Sequence, residues 1–100
     1  MFRIAWEFDA NPERVREFEL VYGSSGDWVD LFRRSSDYVS TELFRSLESP
    51  TRFITLDCWR SRAGYESFRR EHAPDYARLD EMCEQLTLHE RILGMVDDGK

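Results

Sequence analysis

The chain has 100 residues and a formal net charge of -6, with 20 acidic residues against 14 lysines and arginines. This length allows one small domain, and the negative charge disfavours a nucleic-acid partner because it repels the phosphate backbone. No apolar run approaches the ~20 residues that a membrane helix needs, and two cysteines are too few for a disulfide-rich secreted scaffold. These features predict a cytoplasmic protein that binds neither nucleic acid nor membrane.

The amino-terminal residues alternate between apolar and polar side chains, which predicts a β-strand over residues 2–9. One face of this strand is strongly apolar: Phe2, Ile4, Trp6 and Phe8. Asn11 and Pro12 follow as an N-cap and a first helical residue that needs no N–H donor. A helix is therefore predicted over residues 12–22.

A turn rich in glycine and serine follows this helix. Gly23 is expected to end the helix in the left-handed conformation. Ser24 and Asp27 have the spacing of a capping box, which predicts a second, shorter helix. Its apolar side chains share one face: Trp28, Leu31 and Phe32. Trp28 is then either the anchor of a short helix or a wall of a ligand pocket.

Two further strands are predicted over residues 38–47 and 52–59, and the short connection between them predicts a hairpin. Both faces of each strand carry large apolar groups. Ser61 is a good N-cap for the helix that follows, and Pro74 should break that helix into two segments. A last strand over residues 87–96 contains a glycine, which is typical of a bulge or a close backbone approach.

The predicted order of elements is that of an α+β, ferredoxin-like fold, β-α-β-β-α-β, with a four-stranded antiparallel sheet and helices on one face. The sequence predicts one domain over residues 1–96 and a short solvated tail over residues 97–100. Since the strands are apolar on both faces, the second face would expose a larger patch than monomers tolerate. We therefore expect a homodimer in which two sheets pack face to face.

Several motifs in this order resemble the antibiotic biosynthesis monooxygenase family of dimeric α/β-barrel proteins. They are Phe18-Glu19-x-x-Tyr22-Gly23-x-x-Gly26-x-Trp28, Thr41-Glu42-Leu43 and Asp57-x-Trp59-x-Ser61, with Phe68 on the next helix. The resemblance implies a homodimer with a pocket in each subunit between sheet and helices. It also implies an oxygenase that converts aromatic or polyketide-like phenols into quinones without metal or flavin. The same family includes a branch that degrades haem.

A cofactor-free oxygenase needs a dry pocket, a base and a donor for the developing anion. The catalytic candidates are His72, Glu42 and Tyr65. The candidates for binding an aromatic substrate are Trp6, Tyr22, Trp28, Asp57, Trp59, Phe68 and Tyr76. No metal ligands are expected, because the histidines and cysteines do not fall at metal-ligand spacing. Each candidate also has a structural alternative, namely core packing for the aromatics, helix capping for the histidine and pairing with arginine for the carboxylates.

The haem-degrading branch has an asparagine, a tryptophan and a histidine at three positions where this chain has other residues. The corresponding positions here are Glu7, Phe68 and either Arg78 or Asp80, none of which is a usual haem-iron ligand. The resemblance therefore predicts no haem or other cofactor. Two hypotheses remain open from the sequence: a cofactor-independent monooxygenase, and a non-catalytic dimer that binds a small molecule or serves as an accessory protein.

Overall fold

A computed structural model describes residues 1–98 and has the expected order of elements. These elements are β1 (Phe2–Ala10), α1 (Val15–Tyr22), α2 (Asp27–Phe32), β2 (Tyr38–Arg45), β3 (Arg52–Trp59), α3 (Arg62–Glu71), α4 (Ala73–Met82), a 3-10 turn (Cys83–Gln85) and β4 (Thr87–Asp97). Within residues 1–98, no helix has both the length and the apolar character that a membrane crossing requires.

The four strands form one antiparallel sheet in the order β2-β3-β1-β4. The hairpin of β2 and β3 is present, and β1 lies between β3 and β4. The buried faces of the helices pack on one side of this sheet. The α+β, ferredoxin-like fold predicted from the sequence is confirmed.

An aromatic layer between the sheet and the helices forms the core. Its rings come from the inward-facing side chains of β1 and β3 and from the helices that pack on them. Phe18 of α1 lies 5.4 Å from Phe8 and 4.8 Å from Phe53, measured between ring centroids. Phe68 of α3 lies 5.1 Å from Trp59 in the same way. Helices as short as these are stable because their aromatic faces are buried here.

The first helix begins later than predicted. It starts at Val15, because the Asn11 side chain forms a local turn in which Oδ1 accepts a hydrogen bond from the Glu13 N–H at 3.0 Å. Asn11 therefore shapes the turn that contains Pro12 and does not cap the helix. Such side-chain to backbone bonds compete with helix formation.

The two predictions for the turn after α1 are also wrong. Gly23 is extended, with φ -76° and ψ 178°, and no side chain caps α2, whose N-cap is Gly26. The need for glycine comes from close packing, since a Cβ on Gly26 would lie 2.2 Å from the backbone oxygen of Val21. A capping box between Ser24 and Asp27 is therefore absent.

The corner between β3 and α3 is as predicted. The Ser61 Oγ accepts a hydrogen bond from the Gly64 N–H at 3.0 Å, and Pro74 lies in the first turn of α4, where its missing N–H costs little. β2 ends two residues early because the Ser46 Oγ accepts from the backbone of the following turn. β4 includes Asp97, the first residue of the predicted tail, and the last two residues of that tail lie outside the described residues.

The outer face of the sheet, which the helices do not cover, carries an apolar patch. Strand pairing places on it Ala5, Phe44, Ile54, Leu56, Cys58 and Val96. In the single chain Phe44 is 48% exposed and Val96 59% exposed. A pairing shift beside Gly94 confirms the predicted bulge in β4, and within residues 1–98 of the single chain no atom lies within 4 Å of a Cβ added at this glycine.

Candidate functional site

A cavity lies between the inner face of the sheet and the helices. Its volume is about 50 Å³, which is enough to hold water. Its wall is formed by Ile4, Trp6, Phe8, Tyr22, Trp28, Phe32, Thr41, Thr55, Asp57, Tyr65, Tyr76, Asp80 and Glu90. Seven of these thirteen side chains are aromatic, so the wall is mostly apolar with a few polar groups, as in small-molecule sites.

Asp57 is the buried carboxylate of this wall. The alternation of β3 turns it inward, and only 7% of the residue is exposed. Thr41 on the neighbouring strand donates a hydrogen bond from Oγ1 to Asp57 Oδ1 at 2.7 Å, and the Tyr38 hydroxyl donates to Thr41 Oγ1 at 2.8 Å. Burial raises the pKa of Asp57 to about 6, although the hydrogen bond from Thr41 acts in the opposite direction.

Three tyrosines contribute hydroxyl groups to the cavity wall. Burial raises the pKa of Tyr22 and of Tyr76 well above the usual value, so both remain protonated donors at neutral pH. The Tyr65 hydroxyl accepts a hydrogen bond from Arg69 Nη1 at 3.0 Å, which leaves its own proton available for donation. The arginine side chain itself does not line the cavity.

Trp28 supplies both an apolar wall and a donor. Its indole ring packs edge-on against Tyr76, with ring centroids 4.9 Å apart. Its Nε1 is buried near the Tyr22 hydroxyl and the Cys83 thiol, and within residues 1–98 neither contact has the geometry of a good hydrogen bond. A buried donor without a partner is costly, so a ligand oxygen that accepted from it would recover that cost. Trp28 is therefore both the helix anchor and the pocket wall that the sequence left as alternatives.

Two acidic side chains lie where the cavity opens to solvent. Asp80 of α4 and Glu90 of β4 line the cavity and also a shallow groove beside it. Loss of solvent around the Glu90 carboxylate, together with the negative charge of Asp80, raises the pKa of Glu90. The groove is about 260 Å³ and extends the site beyond the aromatic wall.

Six of the residues predicted for the site line the cavity: Trp6, Tyr22, Trp28, Asp57, Tyr65 and Tyr76. Trp59 and Phe68 are instead core residues, with 0% and 1% exposed. Glu42 lies exposed on the outer face of the sheet, and His72 lies at the end of α3, where its ring packs 5.2 Å from that of Phe68. The structure does not bring Glu42 or His72 to the cavity.

Four polar residues of the wall were missed from the sequence: Thr41, Thr55, Asp80 and Glu90. Two of them had a local signal, since Thr41 alternates with inward Leu43 and Asp80 lies one helical turn after Tyr76. Glu90 lies on the cavity wall because β4 pairs it with Phe8 of β1, and this pairing depends on strand register.

The cavity does not fit a haem group. Glu7 lies on the outer face of the sheet, where its Oε1 accepts a hydrogen bond from Arg91 Nε at 2.8 Å, and Phe68 is enclosed in the core. The cavity of about 50 Å³ is far smaller than a porphyrin, and none of the residues that line it is a histidine, cysteine or methionine. We therefore derive no chemistry through haem.

Comparison with known proteins identifies the fold. No family model matches the chain, and no curated protein matches it. Among solved structures, SnoaB from Streptomyces nogalater, described as a cofactor-independent oxygenase, has a TM-score of 0.76 at 14% identity, with 99% of this chain and 93% of that chain covered. A protein described as an antibiotic biosynthesis monooxygenase has a TM-score of 0.68 at 16% identity, with 100% of both chains covered.

A third structure, of a protein from Pseudomonas aeruginosa, has a TM-score of 0.67 at 17% identity and covers 95% of this chain and 90% of that chain. These coverages show that the whole domain is shared, and the low identities limit the likeness to the fold. The resemblance to antibiotic biosynthesis monooxygenases inferred from the sequence motifs is confirmed at that level. Activity has to be argued from the cavity itself.

Proposed function

We propose that the protein is a cofactor-independent monooxygenase that acts on an aromatic or polyketide-like small molecule in the cavity between sheet and helices. The observation that carries this proposal is a buried carboxylate, Asp57, with a pKa raised to about 6 in an otherwise aromatic cavity. A base with that pKa is deprotonated at neutral pH and still takes up a proton readily. The shared fold with a cofactor-independent oxygenase supports the same conclusion.

The proposed reaction begins at an activated CH₂ group of a phenolic ring system. Asp57 removes one proton, and the resulting carbanion transfers electrons to O₂ and forms a C–O bond, giving a peroxide anion. That anion takes up a proton to become a hydroperoxide, which loses water to leave a C=O group. One oxygen atom of O₂ enters the product and the other leaves as water, so no external reductant is required.

The remaining wall residues have defined roles in this proposal. As negative charge develops on the substrate oxygen, this oxygen would accept hydrogen bonds from donors of the wall such as Tyr65, Tyr76 and Trp28. A substrate packed against the aromatic rings would displace water, which would otherwise quench the carbanion. Thr41 holds the Asp57 carboxylate in place through its hydrogen bond.

Oxygen uptake tests the proposed reaction. We expect the metal-stripped protein to consume O₂ with a hydroxylated anthrone, after correction for autoxidation, and the rate to saturate with substrate. Uptake that rises linearly with substrate without saturation, or that is equal with heat-denatured protein, would contradict the proposal. Mass spectrometry with ¹⁸O₂ should place one labelled oxygen in the product.

The second candidate is a non-catalytic protein that binds a small molecule in the same cavity. The size of the cavity weighs against an enclosed reaction of a polycyclic substrate, because 50 Å³ is well below the roughly 300 Å³ that small-molecule sites usually offer. A polycyclic substrate would require side chains at the opening to move outward. Saturable binding of the anthrone without oxygen uptake would select this second candidate.

We further propose that the outer face of the sheet packs against that of a second copy. This face carries the apolar patch described above, which a second sheet would remove from water. We expect light scattering at micromolar concentration to give twice the 12.0 kDa of one chain. Leu56→Arg on this face should yield monomers, whereas Leu20→Arg should not, because Leu20 lies exposed on α1. A wild-type mass of one chain would refute the dimer.

A further inference from the structure

The charged side chains that line the cavity are all acidic. Three carboxylates from three different elements line it: Asp57 of β3, Asp80 of α4 and Glu90 of β4. None of the residues that line it is an arginine, lysine or histidine. A ligand that enters as an anion would add negative charge to this wall, which is unfavourable, whereas proton transfer from a ligand to Asp57 leaves the net charge of the site unchanged.

One of these carboxylates has an unused oxygen. Asp57 accepts the hydrogen bond from Thr41 at Oδ1, and its Oδ2 accepts none from residues 1–98. Only 7% of the residue is exposed, and Oδ2 keeps some accessible surface, so it is reached from the cavity that Asp57 lines. A cation placed in the cavity would pair with this oxygen, whereas a neutral hydrocarbon group would leave it unpaired.

The remaining wall is also suited to a positive charge. Trp6, Tyr22, Trp28 and Tyr76 line the cavity with electron-rich rings, a composition that attracts cations wherever a ring face is open to the cavity. The same wall already holds a cation on one ring, because the Arg69 guanidinium carbon lies 3.9 Å from the centroid of Tyr76. Arg69 does not line the cavity, and its charge acts on Asp80 from outside, so Asp57 and Glu90 are the carboxylates of the wall without a basic partner in the lining.

We propose that the cavity binds an organic cation, namely the protonated amine or quaternary ammonium group of a small molecule, between the aromatic rings and the three carboxylates. The size fits such a group. A cavity of about 50 Å³ suits a compact cationic head group better than a polycyclic ring system. The rest of the ligand would extend past Asp80 and Glu90 into the adjacent groove.

This inference rests on the cavity being the ligand site of the proposed function, to which it adds the charge of the ligand. It does not require oxygen chemistry. A binding experiment with unreactive probes therefore separates the two: oxygen uptake can be absent while the cation preference holds, and a neutral substrate can be oxidised while the preference fails.

Calorimetric titration with three probes of matched shape tests the inference. They are (2-hydroxyethyl)trimethylammonium, its neutral isostere 3,3-dimethyl-1-butanol and the anion 3,3-dimethylbutanoate. We expect the cation to bind at least about tenfold more tightly than the neutral alcohol at neutral pH, and the anion to bind most weakly. Equal or tighter binding of the neutral alcohol, or saturable binding of none of the three, would overturn the inference.

Charge-neutralising variants locate the binding. The double variant Asp80→Asn with Glu90→Gln changes only exposed side chains and should lower the affinity for the cation about tenfold, with the affinity for the neutral alcohol unchanged. Glu81→Gln is the matched control, since Glu81 is exposed on α4 next to Asp80 and does not line the cavity. An equal loss in the control would show that the effect is one of net charge and would contradict a cation site in the cavity.

Discussion

Asp57→Asn should lower kcat/KM for the oxidised substrate about a thousandfold, because removal of a general base typically costs 10² to 10⁴ in rate. The change is close to isosteric, and the amide oxygen of asparagine can still accept the hydrogen bond from Thr41. Asp30→Asn, on the exposed side of α2, is the matched control and should leave the rate unchanged.

The dependence of kcat/KM on pH identifies the role of Asp57 more sharply than the loss of rate alone. The base must be deprotonated, so kcat/KM should rise with pH through about 6 and become level above it. In Asp57→Asn the residual rate should show no such rise. A wild-type profile that is flat from pH 5 to 8, or an unchanged rise in the variant, would exclude Asp57 as the base.

Stability offers a second readout that needs no substrate. The pKa of Asp57 is raised from 3.8 to about 6, so the folded protein binds more protons than the unfolded chain between these pH values. The free energy of unfolding should therefore fall as pH rises through this window, by up to about 3 kcal/mol for this group. Asp57→Asn removes this loss, so the variant should gain stability relative to the wild type across the same window in urea titrations. If the free energies of unfolding of wild type and variant differed by the same amount at every pH, burial would not be raising the pKa of Asp57.

The second large effect concerns Trp59, which the sequence predicted as a substrate contact and the structure places in the core. Its ring lies 5.4 Å from Phe32, 5.3 Å from Tyr65 and 5.1 Å from Phe68 by centroid distance. Trp59→Ala should lower the free energy of unfolding by about 3 to 5 kcal/mol, a large part of the total for a domain of this size.

Trp59→Phe should cost only about 1 to 2 kcal/mol, because it keeps an aromatic ring and removes an Nε1–H that is buried without a partner in residues 1–98. Since Trp59 does not line the cavity, ligand affinity of the folded Trp59→Phe protein should stay within about twofold of wild type. Trp28→Phe is the informative comparison, because it alters a wall residue and should weaken binding. A large loss of ligand affinity in Trp59→Phe would show that Trp59 contributes to binding.

Local features of the sequence were sufficient for the elements and their order. Alternation along β1 and β3 predicted which side chains share a face, and the Ser61 cap and the Pro74 break predicted where helices begin. These rules act within a few residues, so a single sequence contains them. They failed at Asn11 and Gly23, where two local conformations compete and the surrounding packing selects one.

Which residues line the cavity was decided by the tertiary structure. Trp6 and Trp59 have the same chemistry and both face inward, yet Trp59 is enclosed among α2 and α3 rings whereas Trp6 lines the cavity. Glu42 and Asp57 are both strand carboxylates, and only the direction of the side chain separates an exposed position from a buried one. Neighbouring sequence does not distinguish these cases.

The sequence by itself determined the fold class, most element boundaries and an aromatic composition that a thin core has to accommodate. Only the tertiary structure decided that Asp57, Asp80 and Glu90 lie on one cavity wall, because this requires the register of β1 with β4 and the placement of α4 over the sheet. A cavity forms where packing between several elements is incomplete. The cavity therefore depends on how all the elements pack together, and a periodic pattern along the sequence does not predict it.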